Sequence, residues 1–300
     1  MSPTPNHDSL DWADLAWQIT CASGESFSVR TREPVSGGCI HQALRLRGER
    51  QSYFIKLNSA DCAGMFEAEA LGLQELRRCT ALRVPEPVCW GRQGDHGYLV
   101  LEWLDLKPLA GKSEATLGEK LAELHHVTSA LYGWSQDNTL GTTRQKNTPE
   151  GDWIHFWREH RLGFQLKLAQ KKDARLTEPG ERLLQTLEVL LAGHQPPASL
   201  LHGDLWSGNA AQDSQGKPVI FDPAVYYGDR EAEIAMMELF GGFGGDALLA
   251  YRAAWPLEPG YVEVRRDLYQ IYHILNHFNL FGGQYADQAL LRMDRLLAAR

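Results

Sequence analysis

The sequence predicts an α+β fold of two lobes, a strand-rich N-terminal lobe and a helical C-terminal lobe, with a working cleft between them. Three observations predict it. Short extended runs separated by turn residues fill the first hundred or so positions, and helical periodicity takes over beyond about residue 107. Two polar loops, HGDLWSGN at 202–209 and FDP at 221–223, then follow short apolar runs in the middle of the helical part. A chain of 300 residues suits one large domain or two lobes sharing a cleft. The lobes are expected to divide at 1–103 and 104–300.

Residues 9–21 place Trp12, Leu15, Ala16 and Ile19 at helical spacing, with Ser9 available as a cap. Strands are expected at SFSVRT (26–31), HQALRLRG (41–48) and QSYFIKLN (51–58), parted by the turn signals SGG and GERQ. A helix is expected over 62–79, where Phe66, Ala70, Leu73 and Leu76 recur near helical spacing. VPEPVCWG (84–91) and HGYLVLEWL (96–104) read as two further strands. Helices are expected over 113–130, 151–171, 178–193, 229–240, 245–254, 262–280 and 284–299, with KNTPEGD (146–152) as a surface loop.

Composition narrows the function classes. Hydrophobic residues make up 43% and charged residues 23%, the balance of a chain that buries a core. A formal net charge of −8 argues against general affinity for nucleic acid or anionic membrane. MSPTPNHDSLDW has neither the basic start nor the apolar centre of a signal peptide, and YLVLEWL falls far short of the roughly 20 residues of a membrane helix. Five cysteines form no CxxC pair, which fits neither a disulfide framework nor a zinc site and points to a reducing cytoplasm.

The chemistry is concentrated in the two polar loops. Phosphoryl transfer asks a protein to position groups and neutralise charge. Asp204 suits the carboxylate that accepts the proton of an attacking hydroxyl. Asn209, five residues on, matches the Asp-x-x-x-x-Asn spacing of a kinase catalytic loop and can hold magnesium. Asp222 adds a second hard oxygen ligand after the next strand. A single Asp or Asn here reads more simply as a turn residue; all three in this order favour a protein-kinase-like fold. Upstream, Lys56 in YFIKLN is either an edge-strand charge facing water or the lysine that pairs ATP phosphates with a helix glutamate. Glu69 is the first choice for that glutamate and Glu67 the second.

The turn at Ser36, Gly37, Gly38 and Cys39 can bring backbone amides to phosphate oxygens, although SGG between strands is also an ordinary hairpin turn and the G-x-G-x-x-G pattern is missing. Amides aimed at phosphate would also lower the Cys39 thiol pKa and invite inhibitory oxidation. Glu102, Trp103 and Leu104, by position, join the lobes and offer backbone groups to adenine. His125 and His126 read as packing and capping residues, His202 as a brace of the catalytic loop, and Asp229 as a second brace.

The blocks HGDLWSGN, DPAVYYGDREAEIAMMELFGGF and LNHFNLFGG, with GGCIHQA, MFEAEALGL, VPEP, DNTLGTTRQKN and DWIHFWREHRLGFQLKLA, resemble the fructosamine kinase and ketosamine 3-kinase family from about residue 9 to about 299. The resemblance implies ATP- and Mg²⁺-dependent phosphorylation of the 3-hydroxyl of a ketosamine, whether a small molecule or a glycated protein lysine, as a deglycating activity. It implies Asp204 as base, Asn209 and Asp222 as metal ligands, and Lys56 with Glu69 as the phosphate-positioning pair. Trp206 is a candidate wall of the sugar site or a lobe-packing residue, and Trp153, His277 and Asn279 are weaker candidates for substrate contact. HGD-x-x-x-x-N alone suits aminoglycoside, choline or homoserine kinases equally, and a nucleotide-binding pseudokinase is the non-enzyme alternative. The sugar, the amine and the oligomeric state are left open.

Overall fold

The computed structural model describes residues 9–35 and 41–298. Helix α1 (Trp12–Ser23) opens on Asp11, whose carboxylate accepts from the amides of Ala13 and Asp14, so the cap lies two residues beyond the expected Ser9. It ends at Gly24 in the left-handed region. Strands β1 (Thr31–Pro34), β2 (Gln42–Arg47), β3 (Ser52–Ser59), β4 (Pro87–Gln93) and β5 (His96–Glu102) make an antiparallel sheet in the order β1-β2-β3-β5-β4. β1 starts where the expected strand SFSVRT ends. Phe27 is buried with α1 and its amide donates to Thr20 Oγ1 at 2.9 Å, so the preceding segment is tied to the helix before the ladder starts.

The strands alternate as a sheet covered on both faces must. Leu44, Leu46, Ile55, Leu57, Tyr98 and Val100 pack with Leu15, Ala16 and Ile19 of α1. The opposite face carries Leu99 and Leu101 and receives helix α2 (Ala63–Arg77) through Phe66, Ala70, Leu73 and Leu76. Burying each such side chain is worth roughly 1.5–3 kcal/mol. Lys56 belongs to this second face, opposite Ala43 on one neighbour and Leu99 on the other. A slip of one residue would turn the lysine into the apolar layer under α1, so the hydrophobic pattern that sets register also aims the charge.

The helical lobe contains α3 (Lys112–His125), α4 (Trp153–Phe156), α5 (Gly163–Ala169), α6 (Thr177–Gln185), α7 (Leu187–Leu190), α8 (Arg230–Leu239), α9 (Gly245–Ala254), α10 (Arg266–Phe281) and α11 (Tyr285–Ala298). Short strands β6 (Thr128–Ser129), β7 (Asn138–Leu140), β8 (Thr143–Gln145), β9 (Ala198–Leu201), β10 (Ala210–Gln212), β11 (Pro218–Ile220) and β12 (Tyr226–Gly228) lie between them. α3 stops earlier than expected because Thr128 and Ser129 leave it to pair with β9. The expected helix 151–171 exists, with a π-helical stretch at Trp157–Leu162 between α4 and α5. Gly163 closes the wide turn by donating to the carbonyl of Arg158, five residues back, where a Cβ would sit 2.3 Å from that oxygen. The β7–β8 hairpin was not among the expected elements. Among the described residues, no helix is long and apolar enough to cross a membrane, and Cys21, Cys62, Cys79 and Cys89 are unpaired.

Packing between α3 and α9 depends on the absence of a side chain at Gly118, where a Cβ would stand 2.0 Å from the carbonyl oxygen of Ala247. Gly118→Ala should cost about 1–3 kcal/mol by overpacking and lower the thermal midpoint by several degrees in calorimetry.

Candidate active site

β9, buried along its whole length, delivers His202 to Asn209 to the base of the cleft. The loop is held from beneath by Glu233 on α8. Its carboxylate accepts from the amides of His202 at 2.7 Å and Gly203 at 2.8 Å, and it lies 3.3 Å from His125 Nε2. His202 Nε2 donates to the carbonyl of Phe221 at 2.9 Å, which joins the catalytic loop to the loop bearing Asp222. Gly203 has φ +83°, and a Cβ there would lie 2.0 Å from Ala224 O, so glycine is required.

Within this loop Asn209 Nδ2 donates to the Asp204 carbonyl at 2.8 Å and approaches Asp204 Oδ2 at 3.3 Å. Phe221 N donates to Asn209 O at 3.0 Å, so the two polar loops are stitched together. Asp222 has φ +58°, the sole non-glycine residue in the left-handed region among the described residues. Such backbone strain of order 1–3 kcal/mol is retained where surrounding contacts enforce it, commonly at functional sites. Its Oδ1 lies 2.6 Å from Lys56 Nζ, and Glu69 Oε1 is 2.6 Å from the same ammonium. Lys56 is therefore a buried charge between two carboxylates, one from α2 and one from the other lobe. Glu67 is exposed and Glu69 makes the pair, as the apolar face of α2 implied.

The electrostatics follow from this crowding. Burial pulls the Lys56 pKa down, but Asp222 and then Glu69 outweigh it and hold the ammonium above its usual range. Burial, followed by the charges of Asp222 and Glu233, pushes the Asp204 carboxyl well above the usual carboxylate range. Two carboxylates, Glu69 and Asp222, share one ammonium, the charge of Asp222 acts on Asp204, and Asn209 directs its NH₂ into the loop, leaving its carbonyl oxygen available. A hard, oxygen-rich set with excess negative charge fits a magnesium ion held by Asn209 and Asp222.

The segment expected to join the lobes is fixed by its side chains. Glu102 pairs with Arg83 and accepts from the Glu86 amide at 2.7 Å. Trp103 lies 4.2 Å from the Arg45 guanidinium and donates to Asp105 Oδ1 at 2.8 Å, while Leu104 is half-buried. Ser36, Gly37, Gly38 and Cys39 lie outside the described residues.

The substrate candidates separate. Trp206 is 40% exposed on the catalytic loop, its ring folded against Gly208, where a Cβ would meet it at 2.3 Å. Trp153 is a correction: it is 3% exposed, packs with Phe156, Trp157 and Tyr269, and donates Nε1 to Tyr269 OH at 3.0 Å. Its place is the aromatic core, among the rings of Phe156, Trp157 and Tyr269. Asn279 donates to Gln165 Oε1 at 2.7 Å and ties α10 to α5. His277 bonds its own helix through the His273 carbonyl and packs against Phe240 with ring centroids 4.4 Å apart.

Two residues escaped the sequence reading. Glu233, not Asp229, braces the catalytic loop; Asp229 caps α8 and accepts from His194 Nε2 at 2.7 Å and Tyr269 OH at 2.5 Å. An acidic residue inside the apolar run EIAMM was the available signal. His41, beside Lys56, is the other.

The fructosamine kinase model matches residues 11–299. The chain belongs to the fructosamine kinase family. Within that setting it is 46% identical to the "Probable ketoamine kinase" of Synechocystis sp., across 98% of this chain and 99% of the relative. It is 42% identical to the chloroplastic protein-ribulosamine 3-kinase of Arabidopsis thaliana, across 94% and 86%. A crystal structure of a "Putative fructosamine-3-kinase" from Haemophilus somnus superposes with a TM-score of 0.88 at 28% identity, covering 97% and 98%. Choline kinase LicA from Streptococcus pneumoniae, at 14% identity and a TM-score of 0.62 over 95% and 98%, shares the two-lobed protein-kinase-like fold.

A carboxyl whose pKa is raised by the fold costs stability above its unfolded pKa of about 3.9, the cost growing until the pH passes the folded pKa, and it vanishes below the unfolded value. Asp204→Asn should therefore raise the thermal midpoint at neutral pH while removing turnover. The gain should shrink as pH falls toward 4, which scanning calorimetry across pH would register.

Proposed function

We propose that this chain phosphorylates the 3-hydroxyl of ketosamines with ATP and Mg²⁺, a deglycating activity in the cytoplasm. The observation that carries the reading is the Lys56–Glu69–Asp222 cluster standing beside the Asp204–Asn209 loop. The family and the relatives' names supply the acceptor class: a ketosamine on a small amine or on a protein lysine. In this reading the reaction lies between a lobe of 1–103 and a lobe of 104–300, with Glu102 to Leu104 along adenine.

Each residue then has a task. Lys56, fixed by Glu69, orients the phosphate tail. Asn209 and Asp222 hold magnesium, which supplies charge neutralisation for the phosphoryl group when bound. Asp204 accepts the proton of the sugar hydroxyl as the oxygen attacks; its raised pKa makes it a stronger base than an ordinary aspartate. Trp206 offers an aromatic wall to the sugar's apolar face. The choline kinase likeness reaches only the fold, so an aminoglycoside or choline acceptor has no support beyond the shared catalytic loop.

Transfer from ATP–Mg²⁺ to a ribulosamine, run beside an aminoglycoside and choline, tests the reading. Turnover of the ribulosamine is expected, reduced on the order of 10²–10⁴-fold or more in Asp204→Ala. Activity on choline or the aminoglycoside alone would overturn the acceptor class. Nucleotide binding without transfer to any acceptor would favour the pseudokinase.

A further inference from the structure

His41 stands beside the ion-pair cluster with no task in the scheme above. In the β2–β3 register Gln42 faces Leu57 and Ala43 faces Lys56, so continuing it by one residue sets His41 across from Asn58. Asn58 is two residues past Lys56 on the same strand, which puts His41, Asn58 and Lys56 on one face of the sheet. On that face the imidazole packs against Phe66 of α2, ring centroids 4.9 Å apart.

The hydrogen bonds around Asn58 assign the ring's tautomer. Ser59 N–H donates to Asn58 Oδ1 at 2.8 Å, which fixes the oxygen end of the amide. The NH₂ end therefore faces His41, with Asn58 Nδ2 2.9 Å from His41 Nδ1. An amide NH₂ only donates, so Nδ1 accepts, and the proton of the neutral ring sits on Nε2. Protonating Nδ1 would set two donors face to face. Burial and then the Lys56 ammonium hold the ring neutral, its pKa pushed down to about 4 against the opposing pull of Asp222. The outcome is an uncharged N–H donor on the sheet face that carries the phosphate-positioning lysine.

Lys56 already divides its ammonium between two carboxylates. A fixed neutral donor next to it adds a hydrogen bond to a phosphate oxygen without changing the charge balance of that cluster. We propose that His41, held as its Nε2–H tautomer by Asn58, donates to the phosphate tail of bound ATP, making His41 and Asn58 a positioning pair for the phosphoryl donor. This rests on the reading that the phosphates lie beside Lys56.

Binding, not turnover, tests it. Titration calorimetry with ATP and with AMP compares the wild type with His41→Ala, His41→Asn and His41→Gln. Glutamine sets an amide nitrogen near the place of Nε2, and asparagine sets one near Nδ1. His41→Ala and His41→Asn should weaken ATP binding about 10- to 100-fold while sparing AMP, and His41→Gln should keep most of the affinity. Nitrogen NMR of the wild-type imidazole should show Nε2 protonated and Nδ1 bare. A wild-type ratio of ATP to AMP affinity in His41→Ala, or a protonated Nδ1, overturns the proposal alone. Wild-type protein that binds no adenine nucleotide overturns the phosphoryl-transfer reading together with it.

Discussion

The contact between the buried Lys56 ammonium and its two carboxylates is the constraint on which the rest of the molecule depends. It brings together residues 13 and 166 positions apart in the chain. Satisfying it requires the β2–β3–β5 register, the docking of α2 on one sheet face, and the left-handed backbone at Asp222. Desolvating the Lys56 and Glu69 charges costs several kcal/mol each, and a well-packed apolar replacement is often neutral or stabilising. The cluster is thus poorly explained as a device for stability. The proposed grip on a polyanion and a cation together gives the cluster a use that stability does not.

A second layer of constraint lies under the catalytic loop. Glu233 holds the amides of His202 and Gly203, and His125 links that carboxylate to Tyr251 through Nδ1 at 2.7 Å. The expected packing histidine thus also orders the catalytic loop, while His126 stacks on Trp255 at a centroid distance of 4.0 Å. Stacking negative charge below Asp204 raises its proton affinity. If Asp204 is the proposed base, the arrangement that prepares it also costs stability, a trade between activity and stability common at catalytic sites.

Most of the fold and the polar end of the site were legible in the sequence because their signals are local. The Asp204–Asn209 spacing lies within a single loop, and Glu69 follows from the helical phase of Phe66, Ala70 and Leu73. What escaped depends on contacts distant in sequence. Glu233 is buried because its helix packs beneath a strand ending more than thirty residues earlier, and no periodicity announces a carboxylate that accepts two backbone amides. Trp153 looked available because aromatic residues serve sugar sites and cores alike; its packing against Tyr269, more than a hundred residues on, is what places it in the core. The tautomer of His41 needed the orientation of Asn58, which only the Ser59 amide reveals.

The central claim is that the cleft carries the oxygen at position 3 of a ketosamine to the phosphoryl donor beside Asp204. Phosphorus–proton correlation NMR on the product formed from a ribulosamine, ATP and Mg²⁺ tests this most directly. The account predicts a single product with phosphate coupled to the proton on carbon 3. Phosphate on another hydroxyl, or phosphate released to water with the ketosamine untouched, would contradict it.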